Sequence, residues 1–155
     1  MANGSDPKTQ DSIDAPATME SWDELMEFIA QQSEQHLTDA KQIYGMRLAG
    51  EEILSNMIRE TQRPSDKPSD VHIWITSRLL HQAGNAWFEL LLEDNGPVFD
   101  PNLDQPREIQ LNTPINERPI GGLGLFLVQN SCDDASYEWS NNRNCYHLKM
   151  QLSGR

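Results

Sequence analysis

The segment Ala49-Gly50-Glu51-Glu52-Ile53-Leu54-Ser55-Asn56 sets the frame for the rest of the chain. It lies inside a longer run, Thr38 to Glu60, in which Ile43, Met46, Ala49, Ile53 and Met57 recur three and four apart, the spacing that lines one face of an α-helix. Glu52 and Asn56 are four apart on that helix, so both side chains project where the apolar stripe meets solvent. A carboxylate so placed can act as a general base, and a carboxamide oxygen can give one ligand to a Mg²⁺ that takes its others from phosphates and water. Read alone, the pair is equally a solvated helix edge.

Toward the N-terminus, Ser21 with Asp23 and Glu24 resembles a helix start, and Trp22, Leu25, Met26, Phe28 and Ile29 form a second apolar stripe at helical spacing. Residues 1–17 are polar and contain Gly4, Pro7 and Pro16; they are expected to be a flexible leader ending in one short strand, with the folded domain spanning 18–152. Toward the C-terminus, Arg63-Pro64 and Pro68 end the long helix. Val71 to Leu80 and Ala86 to Glu93 are rich in β-branched and large apolar residues, with Gly84-Asn85 as a turn between them. Pro97, Pro101, Pro106, Pro114 and Pro119 then punctuate a long connection. Gly121-Gly122-Leu123-Gly124 opens a short helix, and the alternations Ala135-Tyr137-Trp139 and Tyr146-Leu148-Met150 flank an Asn141-Asn142 turn. Helices followed by antiparallel hairpins predict an α+β fold, a two-layer sandwich with a mixed, mostly antiparallel sheet and helices on one face.

At 155 residues the chain is the size of one domain. Its 12 basic and 24 acidic side chains leave a formal charge of −12, which disfavours nucleic acid and anionic lipid as general partners and suits a basic patch on another protein. Cys132 and Cys145 are too few for a disulfide framework and lack metal-ligand spacing. Met1 to Gln10 has neither the basic start nor the apolar run of a secretion signal, and no stretch is long and apolar enough to span a bilayer, so a cytoplasmic location is expected.

Two further segments carry chemistry. Asp94-Asn95-Gly96-Pro97 follows an apolar strand, which puts a carboxylate at the strand end and a glycine where the backbone turns or admits a ligand; an ordinary turn has the same composition. Gly122 and Gly124 at a helix start let backbone N–H groups approach phosphate oxygens, although no Gly-Lys-Ser/Thr follows as in a Walker loop, and a plain glycine hinge would look alike.

Taken in order, Glu-x-x-x-Asn on a helix, strand-Asp-x-Gly-Pro, and Glu117-Arg118-Pro119-Ile120-Gly121-Gly122-Leu123-Gly124-Leu125 resemble the anti-sigma-factor serine kinases of the histidine-kinase-like (GHKL, Bergerat-type) ATPase superfamily, over roughly Ser21 to Gln151. The resemblance implies ATP and Mg²⁺ as cofactors. It makes Glu52 the catalytic base, Asn56 the magnesium ligand, Asp94 the acceptor of the adenine amine with Gly96 beside it, Gly122 and Gly124 the phosphate-side glycine box, and Arg118 a basic residue in a lid running from Asp100 to Ile120. The implied substrate is a serine on an anti-anti-sigma (STAS-type) partner, which competes with a sigma factor for the kinase; family members commonly form homodimers.

The chain departs from the family pattern at two positions. Glu60 stands where the family has a His after the Asn motif, and alignment through Asn144 puts His147 where the family has a Thr beside the adenine. These favour the alternative of a non-catalytic ATP-binding module that binds protein partners in a nucleotide-dependent way. Trp22, Trp74, Trp87 and Trp139 read as core or interface residues, and His36, His72 and His81 have no partners at zinc-ligand spacing.

Overall fold

Alternating apolar residues put half of each strand against the helices and half on an open face, and a single sheet results. In the computed structural model, which describes residues 9–61, 70–103 and 122–152, its strands are β1 (Gln10–Pro16), β2 (His72–Gln82), β3 (Asn85–Asp94), β4 (Asp134–Ser140) and β5 (Arg143–Gln151). They lie in the order β1-β2-β3-β5-β4, and all four pairings are antiparallel, so the sheet expected as mixed has no parallel pair among the described residues. Two-residue turns enforce this. Asn141 and Asn142, at φ 54° and 61°, close β4 onto β5, and Ala83 and Gly84, at 52° and 80°, close β2 onto β3. Positive φ at both turn residues gives the backbone twist that matches paired strands. The first hairpin turn thus sits one residue earlier than Gly84-Asn85, with Ala83 in a conformation that glycine or asparagine adopts more cheaply.

Strand β1 pairs along all seven residues with β2, from Gln10 opposite Arg78 to Pro16 opposite His72, so the sheet reaches into the stretch expected as a leader. Three helices follow the predicted stripes: α1 (Trp22–His36), α2 (Ala40–Thr61) and α3 (Gly122–Ser131). Asp39 caps α2, its carboxylate accepting the Lys41 N–H at 2.9 Å. None of the described helices is long and apolar enough to cross a membrane.

The core lies between the helices and the inner face of the sheet. Ile73, Ile75, Phe88, Leu90, Leu92 and Leu148 from the strands meet Leu25 and Ile29 of α1 and Met46, Ile53 and Leu54 of α2, all essentially inaccessible to water. Each such side chain contributes about 1.5–3 kcal/mol by burial. One polar pair crosses this core, the Ser77 hydroxyl donating to Gln32 Oε1 at 2.5 Å.

Helix α3 runs antiparallel to α2, seated by a glycine near each end of the contact. A Cβ on Gly45 would overlap the carbonyl oxygen of Ser131, and one on Gly124 would sit 3.0 Å from Glu52 Oε1. Gly45 and Glu52 are seven residues apart on α2, as are Gly124 and Ser131 on α3, so the two contacts share one antiparallel register. The obstacle at Gly45 is backbone and cannot swing away, whereas the obstacle at Gly124 is a side-chain tip.

On the open face of the sheet, Glu89 is 1 % exposed although its neighbours are half-open to solvent. Arg78 donates to its Oε1 through Nε at 2.8 Å and Nη2 at 2.5 Å, and His147 Nδ1 lies 2.9 Å from its Oε2. His147 Nε2 in turn lies 2.9 Å from Glu138 Oε2. The bond to Glu89 is the main cause that raises the His147 pKa above 6.5, with Glu138 adding to it against the opposing effect of burial. Burial alone would raise the Glu89 pKa, but the bonds from His147 and Arg78 outweigh it and hold the value below 4.5.

Two predictions come from this packing. Gly45→Ala gains about 1 kcal/mol in helix propensity, yet the methyl meets an immovable carbonyl, an overpacking cost of about 1–3 kcal/mol or more; urea denaturation should show a net loss, and unchanged or increased stability would show that α3 is not seated there. His147 has a raised folded pKa, so its contribution is fully present below about pH 6.5 and lost as pH climbs through the folded value. The lowered pKa of Glu89 places its contribution above 4.5, lost as pH falls through the folded value. Between those limits the network is strongest, so the stability gap between wild type and His147→Gln should be widest at about pH 5.5 and narrow at about pH 9; a pH-independent gap would contradict the charged network.

Candidate functional site

The site begins at the end of β3. Because Leu90 and Leu92 face the core, Asp94 faces inward too, and it is 4 % exposed. Its Oδ1 accepts the Gly96 N–H at 2.9 Å and the Asn144 Nδ2–H at 2.8 Å, while Oδ2 takes no hydrogen bond from any described residue. Burial raises the Asp94 pKa, and the bonds from Asn144 and Gly96 oppose that rise without cancelling it. A Cβ on Gly96 would lie 3.3 Å from Asp94 Oδ1, so the tight turn needs glycine to bring its own N–H onto the carboxylate. A nearly buried carboxylate with one uncommitted oxygen is what recognition of an N–H-bearing ligand edge requires.

The other end of the site is the face of α2 that carries Glu52, Asn56 and Glu60, spaced one turn apart and each half-buried. Glu52 adjoins Gly124, two residues into α3, whose first backbone N–H groups have no helical partner. Gly122 is the first residue of that helix. Asn56 Oδ1 accepts from the Arg59 guanidinium, so the oxygen expected to hold a cation is engaged by an exposed side chain that must turn aside to free it. A cleft of about 520 Å³ opens beside this face, with Met19 and Trp22 on one wall and Glu51, Glu52, Ser55 and Arg59 on the other.

Tyr146 connects the two ends. Burial raises its pKa first, and the negative charges of Asp94, Tyr137, Glu60 and Asp100 add to the rise. Eight helical residues from Glu52 to Glu60 advance about 12 Å along α2. Glu52 adjoins the start of α3, while Asp94 and Gly96 stand at the end of β3. Arg118 lies outside the described residues, as does the expected lid beyond Leu103. The root of that connection is held: Tyr146 Oη donates to the Phe99 carbonyl at 3.2 Å, Asp100 accepts the Asn102 N–H at 2.8 Å, and Gln129 Nε2 donates to the Leu103 carbonyl at 2.8 Å.

The residue expected beside the base needs correction. The β3–β5 register sets Asp94 opposite Asn144 and Leu91 opposite His147, so His147 faces the open side of the sheet in the Glu89 network, away from Asp94. Asn144, 1 % exposed, is the side chain that touches the strand-end carboxylate. The expected Asn141-Asn142 turn starts β5 at Arg143, and the parity of Tyr146, Leu148 and Met150 extended back to Asn144 is the signal that would have identified it. The tryptophans are also less buried than the sequence suggests: Trp139 is 42 % exposed, and Trp74 lies on the open face with the Arg143 guanidinium 3.5 Å above its ring.

Residues 15–151 match the family described as the histidine kinase-like ATPase domain. That span takes in the end of β1, all three helices and the rest of the sheet, together with Glu52, Asn56, Asp94, Gly96, Gly122 and Gly124. Among curated proteins the chain has no match. With its α+β sandwich, five-stranded antiparallel sheet and matching span, the chain belongs to the histidine kinase-like ATPase domain family of ATP-binding modules.

Proposed function

We propose that the chain is an ATP-dependent protein-serine kinase of the anti-sigma-factor type, phosphorylating a serine on an anti-anti-sigma (STAS-type) partner and sequestering a sigma factor. The observations that carry this reading are the buried Asp94 at the end of β3, with Oδ2 free of any bond from a described residue, and Glu52 of α2 held against Gly124 at the start of α3. Asp94 Oδ2 receives the exocyclic amine of adenine, and the α3 start with Gly122 and Gly124 takes the phosphates through backbone N–H groups. Glu52 accepts the proton of the attacking serine hydroxyl as its oxygen bonds the terminal phosphorus and the bond to the leaving diphosphate breaks. Glu52, Glu60, Asp94 and Asp100 are all acidic, so a triphosphate bound among them needs counter-charge. The Asn56 carboxamide oxygen is a donor that would suit Mg²⁺, and the ion would supply that neutralisation; Arg59, three residues along α2, is a basic side chain beside it, and Arg118 is the basic residue that the family resemblance puts near the phosphates.

A second reading, a non-catalytic module whose nucleotide state controls partner binding, is favoured by one contact. Arg59 occupies the Asn56 oxygen, and Glu60 adds a negative charge one turn on, so metal loading competes with an internal bond.

Calorimetry with Mg-ATP should give saturable binding by the wild type and a loss of about 100-fold in Asp94→Asn, whose amide turns one oxygen into a donor; equal binding would remove Asp94 from the site. Because the Asp94 pKa is raised, a proton placed on Oδ2 converts that acceptor into a donor, and ATP affinity should fall as pH drops through that raised value. With labelled ATP and a serine-bearing STAS-type protein, Glu52→Ala should keep Mg-ATP binding while transfer falls about 100-fold or more. Binding with no transfer by the wild type would favour the non-catalytic module.

A further inference from the structure

Among the described residues, the buried Asn144 carboxamide has every donor and acceptor position engaged. Its Nδ2 donates to Asp94 Oδ1 and to the Pro97 carbonyl, both at 2.8 Å. Its Oδ1 accepts the Phe99 N–H at 2.9 Å and the Tyr137 hydroxyl at 2.6 Å. Those four bonds exhaust two donors and two strong acceptor positions. Their polarity also fixes which end is which, since the Pro97 carbonyl can only accept and the Phe99 N–H can only donate. The nitrogen must therefore face Asp94.

A consequence for Asp94 follows. Oδ1 is doubly engaged by donors, from Gly96 and Asn144, so it cannot itself carry a proton or turn toward a ligand. The carboxylate cannot rotate about its terminal bond without breaking both contacts. Oδ2 alone is presented, and in the ionised group it can only accept. Were Asn144 replaced by a side chain that released Oδ1, the carboxylate could rotate, take up a proton on either oxygen, and meet a carbonyl-bearing edge as readily as an amine-bearing one.

We propose that Asn144 is a specificity-determining positioning residue: by locking Asp94 through Oδ1 and tying it to residues 97–99, it makes the site select a 6-amino purine over a 6-oxo purine. The proposal rests on the nucleotide-binding reading above and adds to it the residue that enforces the choice of base. Asn144 acts through Asp94 and touches no reacting atom. Its bonds to Pro97 and Phe99 further mean that the root of the β3–α3 connection and the base-recognising carboxylate share one anchor, so disturbing either disturbs the other.

The test compares Mg-ATP with Mg-ITP, which differ in the 6-substituent and in the proton that N1 carries in the 6-oxo base, by calorimetry on wild type, Asn144→Ala, the near-isosteric Asn144→Asp and Tyr137→Phe. Each variant is read only if it keeps the wild-type far-UV circular dichroism and a cooperative melt. Wild type should prefer ATP; Asn144→Ala and Asn144→Asp should lose about tenfold or more of that preference, chiefly through weaker ATP binding. Tyr137→Phe, which leaves three of the four bonds, should move the ratio the same way by less. General structural damage would weaken both nucleotides alike and leave the ratio in place. An unchanged ATP-to-ITP ratio in every folded variant overturns the proposal while leaving nucleotide binding intact, and if neither Asn144 variant folds, an unchanged ratio in Tyr137→Phe does so. A wild type that binds neither nucleotide overturns the functional reading itself, and the proposal with it.

Discussion

The seat of α3 on α2 is the contact on which the candidate site depends. Gly45 lets the Ser131 carbonyl lie against the α2 backbone, and Gly124 lets the start of α3 come down onto Glu52. A side chain at Gly45 would push the helices apart, and one at Gly124 would turn the Glu52 carboxylate aside, so either change parts the unpaired N–H groups at the start of α3 from the carboxylate of α2. Close approach of two helices, a matter of packing, is thereby the source of an arrangement that matters for phosphate chemistry.

The sheet divides the molecule's ionisable groups by strand parity. On the inner side, Asp94 and Asn144 end otherwise apolar rows, so their polarity is confined to one rim of the core. On the open side, Arg78, Glu89, His147 and Glu138 form a mutually satisfied chain in which a buried carboxylate is matched from two strands. The first group leaves Asp94 Oδ2 without a bond from any described residue, whereas in the second both oxygens of Glu89 are bonded.

Much of this was legible in the sequence, and the failures have definite physical causes. Helix α2, with Glu52 and Asn56 on one face, follows from spacing alone, because helical periodicity is a local property. Asp94 and Gly96 were legible because turn chemistry after an apolar strand is local too. Asn144 was not, since its partner lies 50 residues away and only strand register brings them together. His147 was set beside the adenine by the family alignment, whereas the Tyr146-Leu148-Met150 alternation already puts it on the opposite face of β5. The hairpin at Ala83-Gly84 was misplaced by one because alanine gives no hint of a positive φ. Gly45 looked like an ordinary helical residue until the neighbouring Ser131 carbonyl gave it a purpose.

The outermost strands differ from the interior ones in a way that bears on behaviour at high concentration. Strand β1 exposes Ser12, Asp14 and Pro16 along the rim, and β4 exposes Asp134, Glu138 and Trp139. Unsatisfied backbone groups at a sheet margin invite a neighbouring molecule to continue the ladder, and charges together with an imino acid that lacks an N–H discourage it. On a chain already carrying twelve surplus negative charges, like-charged margins resist runaway stacking, so crowding in a cell would drive this protein toward face-to-face encounters with oppositely charged neighbours before it drove it toward fibrils.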